Sequence, residues 1–495
     1  MRGGPAGRRN REAEPSNQRP VEKVGLATDV SRVSRDFVAR AYLIWAFING
    51  LFTMELLRIP EIAALDTRRQ IVRIPPETDV PLTDRVRLLI DTAEFRRLSR
   101  ISQLGLVSLV YPAAHHSRFE HSLGVYRLAL LYLRQLAGDA RFAAAVSVEA
   151  AETLIAAALL HDIGHWPFCH AIEDIRLPGV PRHELFANSF LLESDLADVL
   201  REHWGINPRR IVALLSESPS GPTPRILKSI LSGPIDIDKM DYLFRDSLHA
   251  GVPYGRHFDQ QRLLGSLCLN SAGDRLAITD KGKTAAELMV FARYVMFSEV
   301  YWHHGVRAAT AMLQRAFYML HGQLDLDTLF RLTEGPMIDE LLRAAAGGPA
   351  EGLLLGLFGP VRQLYKRVAQ YSLFEDGDVY KLLSRRPYPW LVACAERFAA
   401  LAAKELGKVI APDEVLFDAP PQAREVEFDV EIYFAKQNRF RSLGEVSPVI
   451  CTLAQRQFDD YVKRVRIFAH PRVACDLREM RHVNDLVAEA ARQVG

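Results

Sequence analysis

Leu154-Ile-Ala-Ala-Ala-Leu-Leu-His161-Asp162-Ile-Gly-His165 is the stretch on which the reading of this chain turns. Leu154, Ala157 and Ala158 have helical spacing, and the run Leu154–Leu160 is apolar enough to be buried. An ionisable pair at the end of a buried helix must be paired, hydrogen-bonded or bound to metal, because burying it bare costs several kcal/mol. Helical periods extend outward from this point. They include Val86-Leu88-Leu89-Ile90, Phe95-Leu98-Ile101 and Leu123-Tyr126-Leu130-Leu133, then Leu185–Leu200, Ala285–Leu320, Ile338–Ala345 and Leu453–Tyr461. Short extended pieces are expected from Gln70 to Pro81, broken by Pro75, Pro76 and Pro81, and in Val426–Tyr433 and Val465–Phe468. The fold class is therefore mostly α, a helical core with short N-terminal β elements and a smaller α+β C-terminal lobe.

The chain has 495 residues, 48% hydrophobic and 25% charged, which excludes a mainly disordered, collagenous or coiled-coil protein. Lys+Arg 62 against Asp+Glu 60 leaves a formal charge of +2, so nucleic acid could be held only through a local basic pocket and is not indicated as a partner. Cys169, Cys268, Cys394, Cys451 and Cys475 contain no CxxC pair, which fits a reducing, cytoplasmic setting. Residues 1–53 read as a disordered or non-native extension, with translation starting at Met1 or Met54. The apolar patch Ala41–Met54 falls short of the ~20 residues of a bilayer span, so no membrane partner is expected.

Three pieces carry chemistry: Arg118-Phe-Glu-His121-Ser-Leu-Gly, Leu160-His161-Asp162-Ile-Gly-His165 and Ile235-Asp-Ile-Asp238-Lys239-Met-Asp241-Tyr242. A lone helical His is more often a hydrogen-bonded core or surface residue than a ligand. Here His121 and Asp238 can complete the His161-Asp162 doublet to two nitrogens and two oxygens. That set suits a divalent Zn, Mn, Fe, Ni or Co, or Mg with added waters. Blander readings exist beside it. Arg118 could bridge Glu120, Lys239 and Arg245 could form a solvated face with Asp241 and Asp246, and Tyr242 could be a core aromatic. Trp302, His303 and His304 fit a pocket wall or a structural role equally.

The H…HD…D pattern of His121, His161-Asp162 and Asp238 resembles the HD-domain phosphohydrolases. Gln103-Leu-Gly105, Arg118-Phe-Glu-His-Ser-Leu-Gly-Val125, His161-Asp-Ile-Gly-His-Trp-Pro-Phe-Cys-His170 and Asp236-Ile-Asp-Lys-Met-Asp-Tyr242…Arg245-Asp246 narrow the likeness. They resemble the HD-domain deoxynucleoside triphosphate triphosphohydrolases, including the sterile-alpha-motif/HD-domain dNTPases and their bacterial dGTPase-like relatives, without a sterile-alpha-motif domain. The resemblance is dense from about Asp91 to Phe317. It implies an HD domain over 89–325, preceded by a β-rich arm at 54–88 and followed by a C-terminal lobe at 326–495.

Position by position, the resemblance implies that His121, His161, Asp162 and Asp238 hold the metal. Arg118, His165, Lys239, Tyr242 and Arg293 would face the triphosphate. His170 would be the general acid, with His183 and Glu173 as its relay and His165 beside them. Gln103 and Asp246 would bind the sugar 3′-hydroxyl, Leu104 would pack on it, and Tyr242 would exclude a 2′-hydroxyl. Glu173 stands where relatives carry Asp. In the regulatory site Asp91 matches, while Arg96 and Ser99 replace the expected polar partners. Val430, Asn438-Arg439 and Val465–Phe468 loosely resemble the regulatory C-terminal lobe. The implied partners are a dNTP substrate, an activator nucleotide, additional Mg carried with the nucleotide, and a second copy of the chain in a dimer or tetramer. Two rival functions stay open: an HD-domain nucleotide phosphatase or phosphodiesterase, and a non-enzymatic nucleotide sensor or nucleic-acid-binding regulator.

Overall fold

The Val148–Leu160 helix starts at Ser147, whose Oγ accepts from the Ala150 N–H at 3.2 Å. Leu154, Ile155, Leu159 and Leu160 are fully buried, each contributing about 1.5–3 kcal/mol by leaving water. A helix apolar all round belongs in the centre of a helical body. This one packs against Arg118–Leu136, which in turn packs against Ile237–His249. The structure is a computed structural model and describes residues 53–67, 70–421, 430–453 and 462–495.

Among the described residues the fold is mostly helical, with three small sheets. Ile71–Ile74 pairs antiparallel with Thr78–Pro81, the hairpin expected between Gln70 and Pro81. Leu267–Leu269, Leu276–Thr279, Glu431–Phe434 and Arg439–Ser442 form a four-stranded sheet in that order, in which Leu276–Thr279 and Glu431–Phe434 run parallel. Val465–Ala469 lies between Lys366–Tyr371 and Val415–Asp418, antiparallel to both. One large apolar core runs under the helices and takes in Leu329, Met337, Leu341 and Leu353. A second core joins Tyr371, Phe398, Phe417, Ile467, Leu477 and Val487. Among the described residues, no helix is long and apolar enough to cross a membrane.

Two expected helices are interrupted. Leu185–Leu200 is split into His183–Leu191 and Asp195–His203, with the Ser194 hydroxyl donating back to the Phe190 carbonyl at 2.6 Å. Ala285–Leu320 is divided into Lys283–Met296, a π-turn at Phe297–Tyr301, and His304–Leu320. The break is held from outside the helix. Trp302 donates its indole N–H to the Arg464 carbonyl at 3.1 Å and lies under Arg307, while His303 Nδ1 accepts from the Gly305 N–H at 3.2 Å. Both side chains therefore have structural partners. Of the C-terminal readings, the strand is seen over Glu431–Phe434 and again at Val465–Ala469. Residues 1–52, 426–429 and 454–461 of the other readings lie outside the described residues.

Two glycines allow the close packing. A Cβ on Gly124 would lie 1.9 Å from Asp241 Oδ1. One on Gly164 would lie 2.1 Å from the His183 carbonyl oxygen and 2.6 Å from the Ala187 nitrogen. Because those neighbours of Gly164 are backbone atoms, Gly164→Ala is expected to lower stability by about 1–3 kcal/mol through overpacking. A urea-denaturation midpoint unchanged from wild type would contradict this packing.

Candidate active site

Three helix ends converge. Ser117 caps Arg118–Leu136, which places His121 in its first turns. His161 is the C-cap of Val148–Leu160, with Asp162 next in the chain. Asp236 caps Ile237–His249 by accepting from the Lys239 N–H at 2.6 Å, which puts Asp238 in the first turn. His121, His161 and Asp162 each offer one ligand atom within 4.8 Å of the others. His121 Nε2 lies 3.1 Å from His161 Nε2, and Asp238 Oδ1 lies 3.0 Å and 3.8 Å from the same two nitrogens.

The far sides of both imidazoles are engaged. His161 Nδ1 lies 2.9 Å from the Ala158 carbonyl, and His121 Nδ1 lies 2.8 Å from Asp241 Oδ2. Such partners turn the Nε2 atoms toward the centre, the arrangement that metal-ligating histidines need. Burial opposes charge on His121, but Asp238 and Asp241 outweigh it and push its pKa up to about 10. The facing nitrogens and carboxylates thus favour positive charge in this gap, where a cation fits. Burial also pushes Asp162 up, yet His165, Arg118 and two further imidazoles hold its carboxyl well below the usual range. The donor set of two nitrogens and carboxylate oxygens fits a divalent ion.

Behind His121 lies a chain of charges. Arg245 donates to both Asp241 oxygens at 2.8 Å, and also to Glu120 at 2.6 Å, while His249 Nε2 lies 2.9 Å from the same Glu120 oxygen. Arg245 and Asp241 are buried, which rules out a solvated helix face. Arg118 donates to Asp162 Oδ2 at 2.8 Å and is itself buried, so its partner is the doublet rather than Glu120.

Beside this centre stand three more histidines. Phe168 adopts a left-handed backbone, φ 58°, and turns the chain between His165 and His170. The His165 ring lies 5.1 Å from that of His170 and 3.8 Å from that of His183. His183 Nδ1 is 3.0 Å from each Glu173 carboxylate oxygen, and His170 Nδ1 is 3.7 Å from Glu173 Oε2. Burial pushes the Glu173 carboxyl up, but His170 and His183 outweigh it and hold it far below its ordinary range. Burial and then the Arg118 charge keep His165 neutral, well below the ordinary imidazole range. His170 is exposed, as a group meeting a ligand from solvent would be.

The other expected site residues are placed differently. Lys239 donates to Asp236 Oδ2 at 2.6 Å and to the Gly233 carbonyl at 3.2 Å. Arg293 ends Lys283–Met296 with its guanidinium over the Phe297 ring. Asp246 is buried, with His116 Nε2 2.9 Å from one oxygen and the Tyr301 hydroxyl donating to the other at 2.6 Å. Tyr242 and Tyr301 meet edge to face, 6.5 Å between centroids. The Gln103 Oε1 atom is buried without a hydrogen-bond partner, and Leu104 packs half-buried on the main core.

Sequence reasoning missed His116 and Tyr301, which hold Asp246, and Arg97. Arg97 donates to the Ile163 and His165 carbonyls at 2.8 Å and so braces the turn after the doublet. The Asp241–Arg245 spacing of four residues was the one local signal available for the charge chain.

Comparison with known proteins agrees with this architecture. Residues 118–245 match the HD domain family, and residues 258–482 match the family described as HD associated region. An uncharacterized protein of Methanocaldococcus jannaschii is 29% identical over 86% of this chain and 84% of its own length. An uncharacterized protein of Bacillus subtilis is 35% identical over 46% of this chain and 51% of its own. The deoxynucleoside triphosphate triphosphohydrolase of Homo sapiens is 29% identical over 46% of this chain. The chain spans 41% of that human protein's length. A crystal structure of a hypothetical protein from Aquifex aeolicus superposes with a TM-score of 0.64 at 25% identity, covering 83% of this chain and 98% of that one.

Asp241→Asn removes the carboxylate behind His121 and is expected to weaken divalent-metal binding by about 10–100-fold. Competition against a chromophoric chelator measures it, and an unchanged affinity would contradict the buttressing role. Glu173 has a depressed folded-state pKa, so its contribution to stability is present above the unfolded value of about 4.3 and is lost as pH falls through the lower folded value. Glu173→Gln should therefore destabilise the metal-free protein at pH 7, with the deficit shrinking as pH drops below about 4. Denaturation midpoints across pH report it, and a deficit that grows on acidification would be the wrong sign.

Proposed function

We propose that this chain, whose residues 118–245 match the HD domain family, is a metal-dependent dNTP triphosphohydrolase, releasing deoxynucleoside and inorganic triphosphate. The observation that carries the proposal is the adjacency of two constellations. One is the His121, His161, Asp162 and Asp238 donor set, and the other is the His170–Glu173–His183 cluster beside it. A pure binding module has no use for a carboxylate-oriented imidazole pair next to a cation site. Likeness to proteins named deoxynucleoside triphosphate triphosphohydrolases supports the choice of substrate.

A divalent ion held by the four donors would supply Lewis acidity, acidifying water and polarising a phosphoryl oxygen. The chain's own residues do the rest. Arg118, buried against Asp162, sets a fixed positive charge beside the phosphates. Neutral His165 can donate a hydrogen bond to a phosphoryl oxygen without adding charge. His170, open to solvent, gives a proton to the departing 5′-oxygen, and His183, held by Glu173, returns one. Gln103 offers its unpartnered amide oxygen to the sugar, and Asp246, fixed by His116 and Tyr301, offers the carboxylate. Tyr242 stands against Tyr301 and crowds a ribose 2′-hydroxyl. Lys239 and Arg293 complete the positive wall once the triphosphate competes for them.

His161→Ala with Asp162→Ala is expected to abolish hydrolysis, and persistent triphosphate release would refute the metal role. Product analysis also separates the rival reading of a phosphatase or phosphodiesterase, which would not yield intact triphosphate. Tyr242→Ala should raise the NTP/dNTP ratio of kcat/KM by about 10-fold or more. An unchanged ratio would remove Tyr242 from sugar discrimination.

A further inference from the structure

Cys169 plays no part in the reaction described above, yet its surroundings are those of a ligand. It opens the Cys169–Glu173 helix four residues after His165, and it is buried. One ligand atom from each of His165, Cys169 and His183 lies within 4.8 Å of the other two. His165 is 3% exposed; its Nδ1 lies 3.1 Å from Asp162 Oδ1 without hydrogen-bond geometry, and its Nε2 has no hydrogen-bond partner. Native proteins rarely leave a buried polar side chain in that state without a ligand to complete it. His183 is already oriented: Nδ1 faces Glu173 at 3.0 Å, which leaves Nε2 as the lone-pair nitrogen with a carboxylate behind it.

We propose that His165, Cys169 and His183 form a second metal site, selective for a soft divalent ion such as Zn²⁺ or Cd²⁺, and that an ion bound there stops hydrolysis. A thiolate with two imidazoles suits such ions and disfavours Mg²⁺ or Ca²⁺. The set of His121, His161, Asp162 and Asp238 holds no sulfur, so the two centres differ in kind. Ligand atoms sharing one tetrahedral zinc lie roughly 3.3–3.6 Å apart, given bonds of about 2.0–2.3 Å. Side-chain movements of about 1 Å therefore suffice, and a fourth position stays open to water. On binding, the Cys169 thiol releases its proton to solvent and a sulfur–metal bond forms, with nothing oxidised or reduced. The ion takes up the His183 nitrogen that would otherwise move a proton. A neighbouring group, His170, Glu173 and His183, shares His183 but offers no sulfur, so a thiolate signature tells the two apart. The binding stands on this geometry alone; the inhibition rests on the relay reading of His170 and His183.

The test titrates the metal-loaded protein with Cd²⁺ while following the ultraviolet thiolate-to-cadmium charge-transfer absorption and nucleotide hydrolysis together. Wild type should show a band that saturates at a single equivalent, with hydrolysis falling about 100-fold, the scale of losing a proton-transfer group. Cys169→Ser, and independently Cys169→Ala, should show no band and keep hydrolysing at the same Cd²⁺ concentration. Cys268, Cys394, Cys451 and Cys475 remain in both variants, so a band that survives belongs to them and overturns the site, as does its absence from wild type. A Cys169-dependent band with undiminished hydrolysis overturns the inhibition. If cadmium-free wild type hydrolyses no nucleotide, the functional reading fails while the band still reports on the site.

Discussion

Two imidazole nitrogens facing each other at 3.1 Å inside the protein form the constraint around which the rest is arranged. Without a cation, lone pairs at that distance repel, so one ring must carry a proton or both must share an ion. The chain provides for both states. Asp238 and Asp241 flank His121 closely enough to stabilise its protonated form, and Asp238 and Asp162 turn oxygens toward the same gap. Removing these carboxylates would leave buried imidazoles to bear the full desolvation cost of any charge.

Keeping so much charge in a dry interior requires every partner to have a partner. Asp241 is neutralised by Arg245, Arg245 reaches Glu120, and Glu120 also meets His249, whose ring stacks on His116 at 4.4 Å. His116 in turn holds Asp246. The cation centre and the carboxylate assigned to the sugar are thus two ends of one chain of hydrogen bonds joined by a single ring stack. Low local dielectric makes each link stronger and makes the loss of any one costlier. Gly124 belongs to the same design, because only a residue without Cβ lets Asp241 and Arg245 lie flat against the Arg118–Leu136 helix.

Arg118 and His165 illustrate how position sets chemical character. Both lie within reach of Asp162, at 2.8 Å and 3.1 Å. The Arg118 guanidinium helps hold Asp162 as a carboxylate. His165, buried beside that same guanidinium, stays neutral. One anion, one cation and one neutral donor within a few ångströms give an entering phosphate graded contacts instead of a uniform field.

The order along the chain determined the local features. Ser117, Ser147 and Asp236 announce helix starts through side chains that accept from N–H groups three residues on, and the apolar run before His161 announces a buried helix. These are short-range effects, and so the residue types at the cation centre were legible in a linear reading. What joins Asp246 to His116, 130 residues away, and to Tyr301, 55 residues away, was not. Nor was the interruption at Trp302, where an indole held by Arg464 overrides an uninterrupted helical period. The position of Cys169 beside His183 likewise came only with the turn at Phe168. Each depends on which distant backbone happens to lie within hydrogen-bond reach after packing, and a one-dimensional pattern carries no record of that distance.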